Sequence, residues 1–264
     1  MRKTYRYLNV KDYWNTRWTD IPADQPMKNS QVYPLRYAEQ TVIDRDGKIL
    51  EAGCGAGRIL RYYHNQGLNI IGIDFIEAAI EKLKKIDKTL KVEVGDITNL
   101  RFKNASFRYI LAFGLYHNLE NGLEQSIKET YRILEPGGTI CASFRADNIH
   151  NLLTDWLTDR RTRRRKRTEV SREFHKMNLT RSEFKNFFEK EGFKIDSITP
   201  VENMPILYKF PFFRAFKHKQ FNENLAREEG YKLSCFGQLL QNFLMDFFPD
   251  KFCNIYVLIA HKKK

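Results

Sequence analysis

The sequence predicts an α/β fold: a seven-stranded, mostly parallel sheet with helices on both faces and a helical cap from insertions after strands five and six. From Lys48 onward, short apolar runs alternate with segments of helical periodicity, a pattern typical of a parallel sheet covered by helices. The first run, residues 49–51, leads into a turn with three glycines, and two later runs end in an acidic residue. With 264 residues, 42% of them hydrophobic, the chain can bury a substantial core, either as one large domain or as a domain with an appendage.

The turn after the first predicted strand is rich in glycine. Gly53, Gly55 and Gly57 lie at alternate positions behind Glu51, and residues without a Cβ let the backbone turn sharply and approach a ligand closely. This G-x-G-x-G spacing differs from the G-x-G-x-x-G fingerprint of dinucleotide sites. A carboxylate such as Glu51 would repel a pyrophosphate but can accept hydrogen bonds from a cationic amino-acid head group. The turn therefore favours a nucleotide-type ligand over an ordinary strand-to-helix connection.

Acidic residues follow the next two predicted strands. Asp74 ends the strand over residues 69–74, where ligands lie beyond the carboxyl ends of an open α/β sheet. Its carboxylate can accept both hydroxyls of a ribose, or it can serve the start of the helix predicted from Phe75, and the two roles are compatible. The third strand, over residues 90–94, is followed by Gly95, Asp96 and Ile97.

The fourth and fifth strands complete an ordered series. The fourth is predicted over residues 108–114. A helix over residues 124–134 then ends in Leu-Glu-Pro-Gly-Gly before a fifth strand over residues 139–143.

In this order, the glycine motif, Asp74, Asp96 and the Pro-Gly-Gly stop resemble the class I, Rossmann-like S-adenosylmethionine-dependent methyltransferases over residues 48–144. The resemblance implies S-adenosylmethionine as the cofactor, with Asp96 and the amide of Ile97 reading its adenine. The cofactor-binding residues that it implies, together with the two N-terminal tryptophans discussed below, are Glu51, Gly53, Cys54, Gly55, Gly57, Asp74, Phe75, Asp96, Ile97, Phe113, Trp14 and Trp18.

The segment after the fourth strand, residues 113–119, is where this family places residues between cofactor and substrate. Tyr116 and His117 are the catalytic candidates. His117 has an ordinary pKa near neutrality and could act as a general base, or it could contact the cofactor or cap the next helix. Methyltransferases that act on exocyclic amino groups of nucleobases carry Asn/Asp-Pro-Pro-aromatic here, and this chain does not.

Residues 1–46 form an N-terminal segment with predicted helices around 10–18 and 31–43. Trp14 and Trp18 have helical spacing, which is usual for core residues. The segment also resembles the aromatic lid of some small-molecule methyltransferases, which would bring both tryptophans over the cofactor.

The second half of the chain adds two insertions to the predicted core, which comprises residues 47–201 and 252–264. The first insertion, residues 145–179, contains seven positive charges in eight positions from Arg160 to Arg167. A capping box from Thr180 to Glu183 starts a helix, and strands six and seven follow over residues 193–198 and 252–260. The second insertion, residues 202–251, is dense in aromatics and predicts a cap that encloses an apolar substrate or touches a membrane, or else packs on itself.

Charge and cysteine usage indicate partners and compartment. The net charge is +13, and residues 1–144 carry 21 basic and 17 acidic residues, a net of +4, so the rest carries +9. That excess suggests an anionic membrane surface or RNA as a partner, although a solvated helix face is the commoner explanation of a basic run. Four scattered cysteines and no ligand cluster predict no metal and a reducing cytoplasm. No apolar run has the length of a membrane span, and the first residues lack the apolar centre of a secretory signal, so the expected location is cytoplasmic or membrane-peripheral.

Three functions fit these patterns, and a fourth is disfavoured. The first is methyl transfer from S-adenosylmethionine to a small-molecule or lipid-like acceptor, and the second is RNA (tRNA) methylation through the basic insertion. A non-catalytic binding protein with the cofactor fold is the third. An NAD-dependent dehydrogenase is disfavoured by the glycine spacing.

Overall fold

The computed structural model describes residues 1–7, 25–165, 172–201, 205–218, 220 and 229–264. Its strands are β1 (Arg2–Tyr7), β2 (Ile49–Ala52), β3 (Ile70–Asp74), β4 (Val92–Val94), β5 (Phe107–Ala112), β6 (Leu134–Arg145), β7 (Arg172–Asn178), β8 (Phe193–Pro200) and β9 (Ile255–Lys262). Its helices are α1 (Leu35–Thr41), α2 (Arg58–His64), α3 (Glu77–Ile86), α4 (Leu123–Ile133), α5 (Ile149–Arg165), α6 (Arg181–Lys190), α7 (Pro205–Tyr208), α8 (Cys235–Phe247) and α9 (Pro249–Phe252).

Seven of the strands form one sheet in the order β4-β3-β2-β5-β6-β9-β8. Strands β2 to β6 pair in parallel, whereas β9 runs antiparallel to both β6 and β8. The direction of the chain along the sheet reverses between β2 and β5, and this is the position where open α/β sheets form a ligand crevice. The predicted seven-stranded, mostly parallel sheet is confirmed.

Helices cover both faces of this sheet because its strands are buried on both sides. One apolar cluster packs α1, α2 and α3 on the first face through Leu35, Leu60 and Leu83. The other cluster packs α4 and α6 on the second face through Ile127 and Phe188. The predicted capping box starts α6, where Thr180 Oγ1 accepts from the Glu183 amide and Glu183 Oε2 accepts from the Thr180 amide at 2.9 Å.

Strand β6 is longer than the sequence predicted. The expected strand covered residues 139–143, but the observed one begins at Leu134, directly after α4. The pairing register of β5 with β6 shifts between Phe107 and Tyr109, and Gly137 has φ +72°. The Pro-Gly-Gly segment is therefore an irregular stretch of β6, between the residues that pair with Phe107 and Tyr109. A Pro-Gly-Gly stop predicts the end of the helix, but it does not show that the chain continues in extended conformation.

A second sheet has two strands and lies outside the seven-stranded sheet. Strand β1 pairs antiparallel with β7, with Arg2 opposite Asn178. This pairing joins the N-terminal segment to the 145–179 insertion, and the sequence analysis did not predict it. Helix α1 lies inside the predicted 31–43 helix, whereas the predicted helix at 10–18, with Trp14 and Trp18, lies outside the described residues.

The described parts of the 202–251 insertion are mainly helical. They comprise α7, short 3-10 turns at Pro211–Phe213 and Phe216–His218, and α8, with α9 directly behind. Leu207, Tyr208 and Leu233 form a small apolar cluster of their own. Within the described part of the chain, no helix combines the length and apolar character needed to cross a bilayer.

Candidate functional site

The glycine turn after β2 has a backbone that side chains would not tolerate. Gly53, Gly55 and Gly57 have φ values of +74°, +48° and +68°, in the left-handed region that favours glycine. A Cβ on Gly57 would lie 2.6 Å from Cδ2 of Leu83, a buried residue of α3. The turn therefore keeps its backbone bare at the C-terminal end of β2, as close contact with a ligand requires.

Asp74 joins the end of β3 to this turn. Its Oδ2 accepts a hydrogen bond from the Gly55 amide at 2.9 Å, and its Oδ1 accepts one from the Ile76 amide at 2.9 Å. Burial raises the pKa of the Asp74 carboxyl, and these amides oppose the shift. Each carboxylate oxygen can accept a further hydrogen bond, so the group can serve the start of α3 and still receive two ligand hydroxyls.

Glu51 lies on β2 just before the turn and is buried. Its Oε2 accepts a hydrogen bond from the Leu60 amide of α2 at 2.7 Å. Burial raises the pKa of this carboxyl to about 8, and the Leu60 amide only partly opposes the shift. A buried carboxyl with so high a pKa would ionise beside an added ammonium group, because the opposite charge would offset the cost of burial.

A pocket of about 290 Å³ opens beyond the ends of β3 and β4. Its lining includes Ile73, Phe75, Gly95 and Asp96, and the Phe75 side chain is 72% exposed. Asp96 Oδ1 accepts hydrogen bonds from the amide and the hydroxyl of Thr98, both at 2.8 Å, which fixes the carboxylate at the pocket. Ile97 is buried behind it. The lining also contains Glu93, Asn99 and Arg101, and apolar surface combined with a few polar groups suits a flat heteroaromatic ring.

Phe113 follows β5 and is half-buried. The ring of Tyr33 meets it edge-on, with 5.8 Å between ring centroids. The Tyr33 hydroxyl lies 2.9 Å from Ser143 Oγ, which also accepts from the Gly114 amide at 2.8 Å. Tyr33 and Ser143 therefore hold the segment after β5 in place. The sequence analysis missed both, because neither belongs to a local motif.

Tyr116 is fully buried in the apolar core. Its hydroxyl lies 2.9 Å from Thr130 Oγ1 of α4, and its ring meets Phe188 edge-on. These contacts account for a tyrosine here by packing, and its catalytic role stays a prediction.

His117 is buried, with 6% of its surface exposed, and it has a cationic neighbour. Lys176 Nζ of β7 lies 3.2 Å from His117 Nε2, while His117 Nδ1 has no hydrogen-bond partner in the described structure. Burial lowers the pKa of the His117 imidazole well below its ordinary value of 6.5, and the charges of Lys176 and Arg145 lower it further. The imidazole is therefore neutral at neutral pH. Lys176 comes from the 145–179 insertion, 59 residues away, so no local pattern could have identified it.

The predicted metal-free character can be compared only with the described residues. Among them, no three His, Cys, Asp or Glu side chains group closely enough to hold a metal ion.

These features fit the cofactor that the sequence motifs implied. The turn has three glycines with positive φ, Asp74 offers acceptors for two hydroxyls, and Glu51 is a carboxyl suited to an ammonium group. Residues 49–138, which carry all of them, match the family model described as a methyltransferase domain. The chain therefore carries a methyltransferase domain over residues 49–138.

Relatives of this methyltransferase domain have named activities. A malonyl-[acyl-carrier protein] O-methyltransferase of Enterobacter lignolyticus is 26% identical over 113 residues, 42% of this chain and 45% of that protein. A demethylmenaquinone methyltransferase of Leptospira interrogans is 31% identical over 121 residues, 42% of this chain and 47% of that protein. The chain thus spans a little under half the length of these relatives.

Solved structures share the methyltransferase fold over most of the chain. An S-adenosylmethionine-dependent methyltransferase from Methanosarcina mazei superposes with a TM-score of 0.58 at 18% identity, covering 88% of this chain and 98% of that one.

The methyltransferase domain brings most of the predicted site residues together. Glu51, the three glycines and Asp74 meet at the ends of β2 and β3, and Phe75 and Asp96 line the adjoining pocket. Cys54, also predicted to bind cofactor, is buried in this turn, where its amide donates to the Ile73 carbonyl at 2.9 Å. The binding roles of all these residues remain predictions.

Proposed function

We propose that the protein transfers the methyl group of S-adenosylmethionine to a small-molecule or lipid-like acceptor. The observation that carries this proposal is the Asp74 carboxylate, held at the crevice by the Gly55 and Ile76 amides with acceptor capacity left on both oxygens. Beside it, the buried Glu51 carboxyl would take the amino-acid head group. A nucleoside joined to a cationic amino acid needs an acceptor at each end, and the parallel pairing of β2 and β3 brings these two carboxyls to the same end of the sheet.

The protein's own contribution to such a reaction is positioning and exclusion of water. S-adenosylmethionine supplies an already activated sulfonium methyl for an in-line displacement. Asp74 and the glycine turn fix the ribose end, while Phe113 and Tyr33 provide an aromatic wall after β5. Orientation and desolvation can supply most of the rate of a displacement of this kind.

The acceptor class is argued from the segment after β5. It has the sequence Phe-Gly-Leu-Tyr-His over residues 113–117 and lacks the Asn/Asp-Pro-Pro-aromatic motif of nucleobase amino-group methyltransferases. The names of the two relatives specify a malonyl-acyl carrier protein and demethylmenaquinone, and neither specifies a nucleic acid. Both points support a small-molecule or lipid-like acceptor over RNA.

We assign His117 a positioning role toward the acceptor. A lysine ammonium can only donate, so Nε2 of His117 accepts from Lys176 and the ring proton resides on Nδ1. Nδ1 is buried and without a partner, which makes it a hydrogen-bond donor for an acceptor oxygen. In this tautomer Nδ1 carries the ring proton, so it can donate a hydrogen bond and cannot itself accept a proton as a general base.

The two insertions and the N-terminal segment would close the substrate side. Contacts made by the 145–179 insertion support this arrangement. Arg145, at the end of β6, pairs with Asp155 of α5, and Lys176 of β7 reaches His117 after β5. The 202–251 insertion would complete this cap, since Met245 of α8 belongs to the main core cluster.

The four cysteines are free thiols, which supports a reducing, cytoplasmic setting.

The test is methyl transfer from radiolabelled S-adenosylmethionine into a cell extract separated into RNA, lipid and small-molecule fractions. We expect label in the lipid or small-molecule fraction, with loss of label for Asp74→Ala. Label confined to the RNA fraction would contradict the proposed acceptor class and would indicate RNA as the acceptor. Cofactor binding without transfer to any fraction would indicate a binding protein.

A further inference from the structure

Helix α8 is apolar on its outer side as well as its inner side. Gly237, Gln241 and Met245 are buried and mark the side that faces the protein. Four side chains spaced three or four residues apart form the other side, here named the outer face of α8: Phe236, Leu239, Phe243 and Phe247, which are 56%, 68%, 53% and 68% exposed. A surface helix of a globular protein normally has polar residues on this side, so an uncovered apolar stripe indicates an interaction surface.

Neighbouring aromatic rings extend the outer face of α8. The Phe236 ring stacks on Phe213 with centroids 5.9 Å apart and an interplanar angle of 12°, and it also contacts Phe212, which is 74% exposed. At the other end of the helix, the rings of Phe243 and Phe247 lie 5.0 Å apart. The surface therefore runs the length of α8 and onto the 211–213 turn.

Helix α5 carries a second exposed apolar stripe. The outer face of α5 consists of Ile149, Leu152, Leu153 and Trp156, which are 46%, 54%, 45% and 55% exposed. The two helices are linked through α9, the helix directly after α8. Asn148, just before α5, donates from Nδ2 to the Asp250 carbonyl of α9 at 3.1 Å and to the Cys253 carbonyl at 2.8 Å.

Positive charge adjoins both outer faces. The Arg160 guanidinium lies 5.3 Å from the Trp156 ring, and in sequence it begins the run of seven positive charges that ends at Arg167. Lys251 Nζ lies 5.5 Å from the Phe248 ring at the end of α8. Of the acids on α8 and α9, Asp246 lies beside the apolar stripe, and Asp250 pairs with Arg181 at 3.7 Å. Exposed aromatics beside clustered cations are typical of segments that lie in the headgroup region of an anionic bilayer.

Aliphatic side chains distinguish a bilayer from RNA as the occupant. Half of the eight side chains on the two outer faces are leucine or isoleucine. Bases stack on aromatic rings, whereas aliphatic chains gain most from contact with hydrocarbon. We propose that the outer faces of α8 and α5, with the cations Arg160 and Lys251 beside them, dock the protein on an anionic lipid bilayer.

The experiment uses the full chain with phosphatidylcholine vesicles that contain or lack phosphatidylglycerol, without cofactor or acceptor. Its result is therefore independent of the methyl-transfer proposal. We expect co-sedimentation with the anionic vesicles and weaker binding to the neutral ones. The double variant Phe243→Gln/Phe247→Gln should bind at least about tenfold more weakly, because two exposed rings no longer leave water. The double variant Arg160→Gln/Lys251→Gln should reduce the preference for phosphatidylglycerol.

Ile43→Gln is the matched control, because Ile43 is also an exposed apolar residue, at 82%, but lies before β2 and away from both outer faces. Vesicle binding of this variant should equal wild type, and the single variant Leu239→Gln provides a second change if the double variant unfolds. Equal binding of wild type and the folded α8 variants would overturn the proposal. A dimer in solution that the double variant dissolves would assign the surface to a second copy, and salt-sensitive RNA binding without vesicle binding would assign it to nucleic acid.

Discussion

The Gly55 amide donates a hydrogen bond to Asp74 Oδ2 at 2.9 Å, so residues from two neighbouring strands share one site. The bond fixes the carboxylate at the C-terminal ends of β2 and β3. It also leaves Asp74 available for hydroxyls of a bound nucleoside, because each carboxylate oxygen can accept more than one hydrogen bond.

Replacing Asp74 by alanine should weaken the binding of S-adenosylmethionine by about ten- to a hundredfold, since a hydrogen bond to a charged group contributes about 1.5–3 kcal/mol. Calorimetric titration of purified protein measures this. Glu81→Ala is the control, because Glu81 is exposed on α3 and should leave the affinity unchanged. Wild-type affinity in a folded Asp74→Ala variant would disprove the ribose role.

Gly57→Ala should destabilise the protein more than Gly67→Ala. Both glycines have positive φ, +68° and +78°, so alanine at either position costs about 1–2 kcal/mol in backbone strain. Only at Gly57 would the new Cβ also meet the buried Leu83 side chain, whereas nothing lies within 4 Å at Gly67. Urea unfolding of the two variants separates strain from overlap. Equal losses would mean that Leu83 moves aside without cost.

Cofactor affinity should rise with pH up to about 8, because the Glu51 carboxyl must lose its proton to pair with an ammonium group. One linked proton changes affinity by up to about tenfold per pH unit. Calorimetry in buffers of different ionisation enthalpy should detect proton release near pH 7, and Glu51→Gln should abolish it.

The same group should influence the stability of the unliganded protein. Its pKa is raised from 4.5 in the unfolded chain to about 8 in the fold, so its contribution to stability is complete below 4.5 and is lost as the pH rises through 8. Glu51→Gln should therefore flatten the decline of stability between pH 4.5 and about 8, as measured by urea unfolding at several pH values.

Asp155→Asn should cost about 3–5 kcal/mol of unfolding free energy, the usual effect of removing one partner of a buried ion pair. Asp155 accepts two hydrogen bonds from Arg145, both at 2.9 Å, and one from Arg2 at 3.0 Å. Burial alone would raise the pKa of Asp155, but the guanidiniums outweigh it and lower the pKa below 3.8. The stabilisation is therefore present above pH 3.8 and lost as the pH falls through the lowered pKa. Glu189→Gln, in an exposed pair with Lys185, should change stability by less than about 0.5 kcal/mol.

His117→Ala should slow methyl transfer by about ten- to a hundredfold if Nδ1 donates to the acceptor, whereas His117→Asn, which keeps a donor, should retain most of the rate. Cofactor affinity should not change in either variant. Because the His117 pKa lies well below 6.5, the pH–rate profile should show no inflection near that pH. An inflection near pH 6.5 that disappears in His117→Asn would instead assign His117 as a general base.

The sequence by itself determined the sheet and the cofactor side of the site. Strand periodicity, the glycine spacing and the acids at the ends of β2 and β3 and after β4 are local patterns, and parallel strands bring their carboxyl ends to one edge of the sheet. Asp74 and Asp96 could therefore be placed at the crevice without coordinates. The capping box of Thr180 and Glu183 is local in the same sense.

Only the tertiary structure decided what surrounds the segment after β5. Lys176 contacts His117 although 59 residues separate them, and Tyr33 contacts Phe113 although 80 residues separate them. Strand β1, at the N-terminus, pairs with β7 in the second half of the chain. It also decided that Tyr116 is a core residue and that the outer face of α8 is uncovered. Periodicity shows that a helix is apolar, but not which side another element covers, because burial depends on contacts between segments that are distant in sequence.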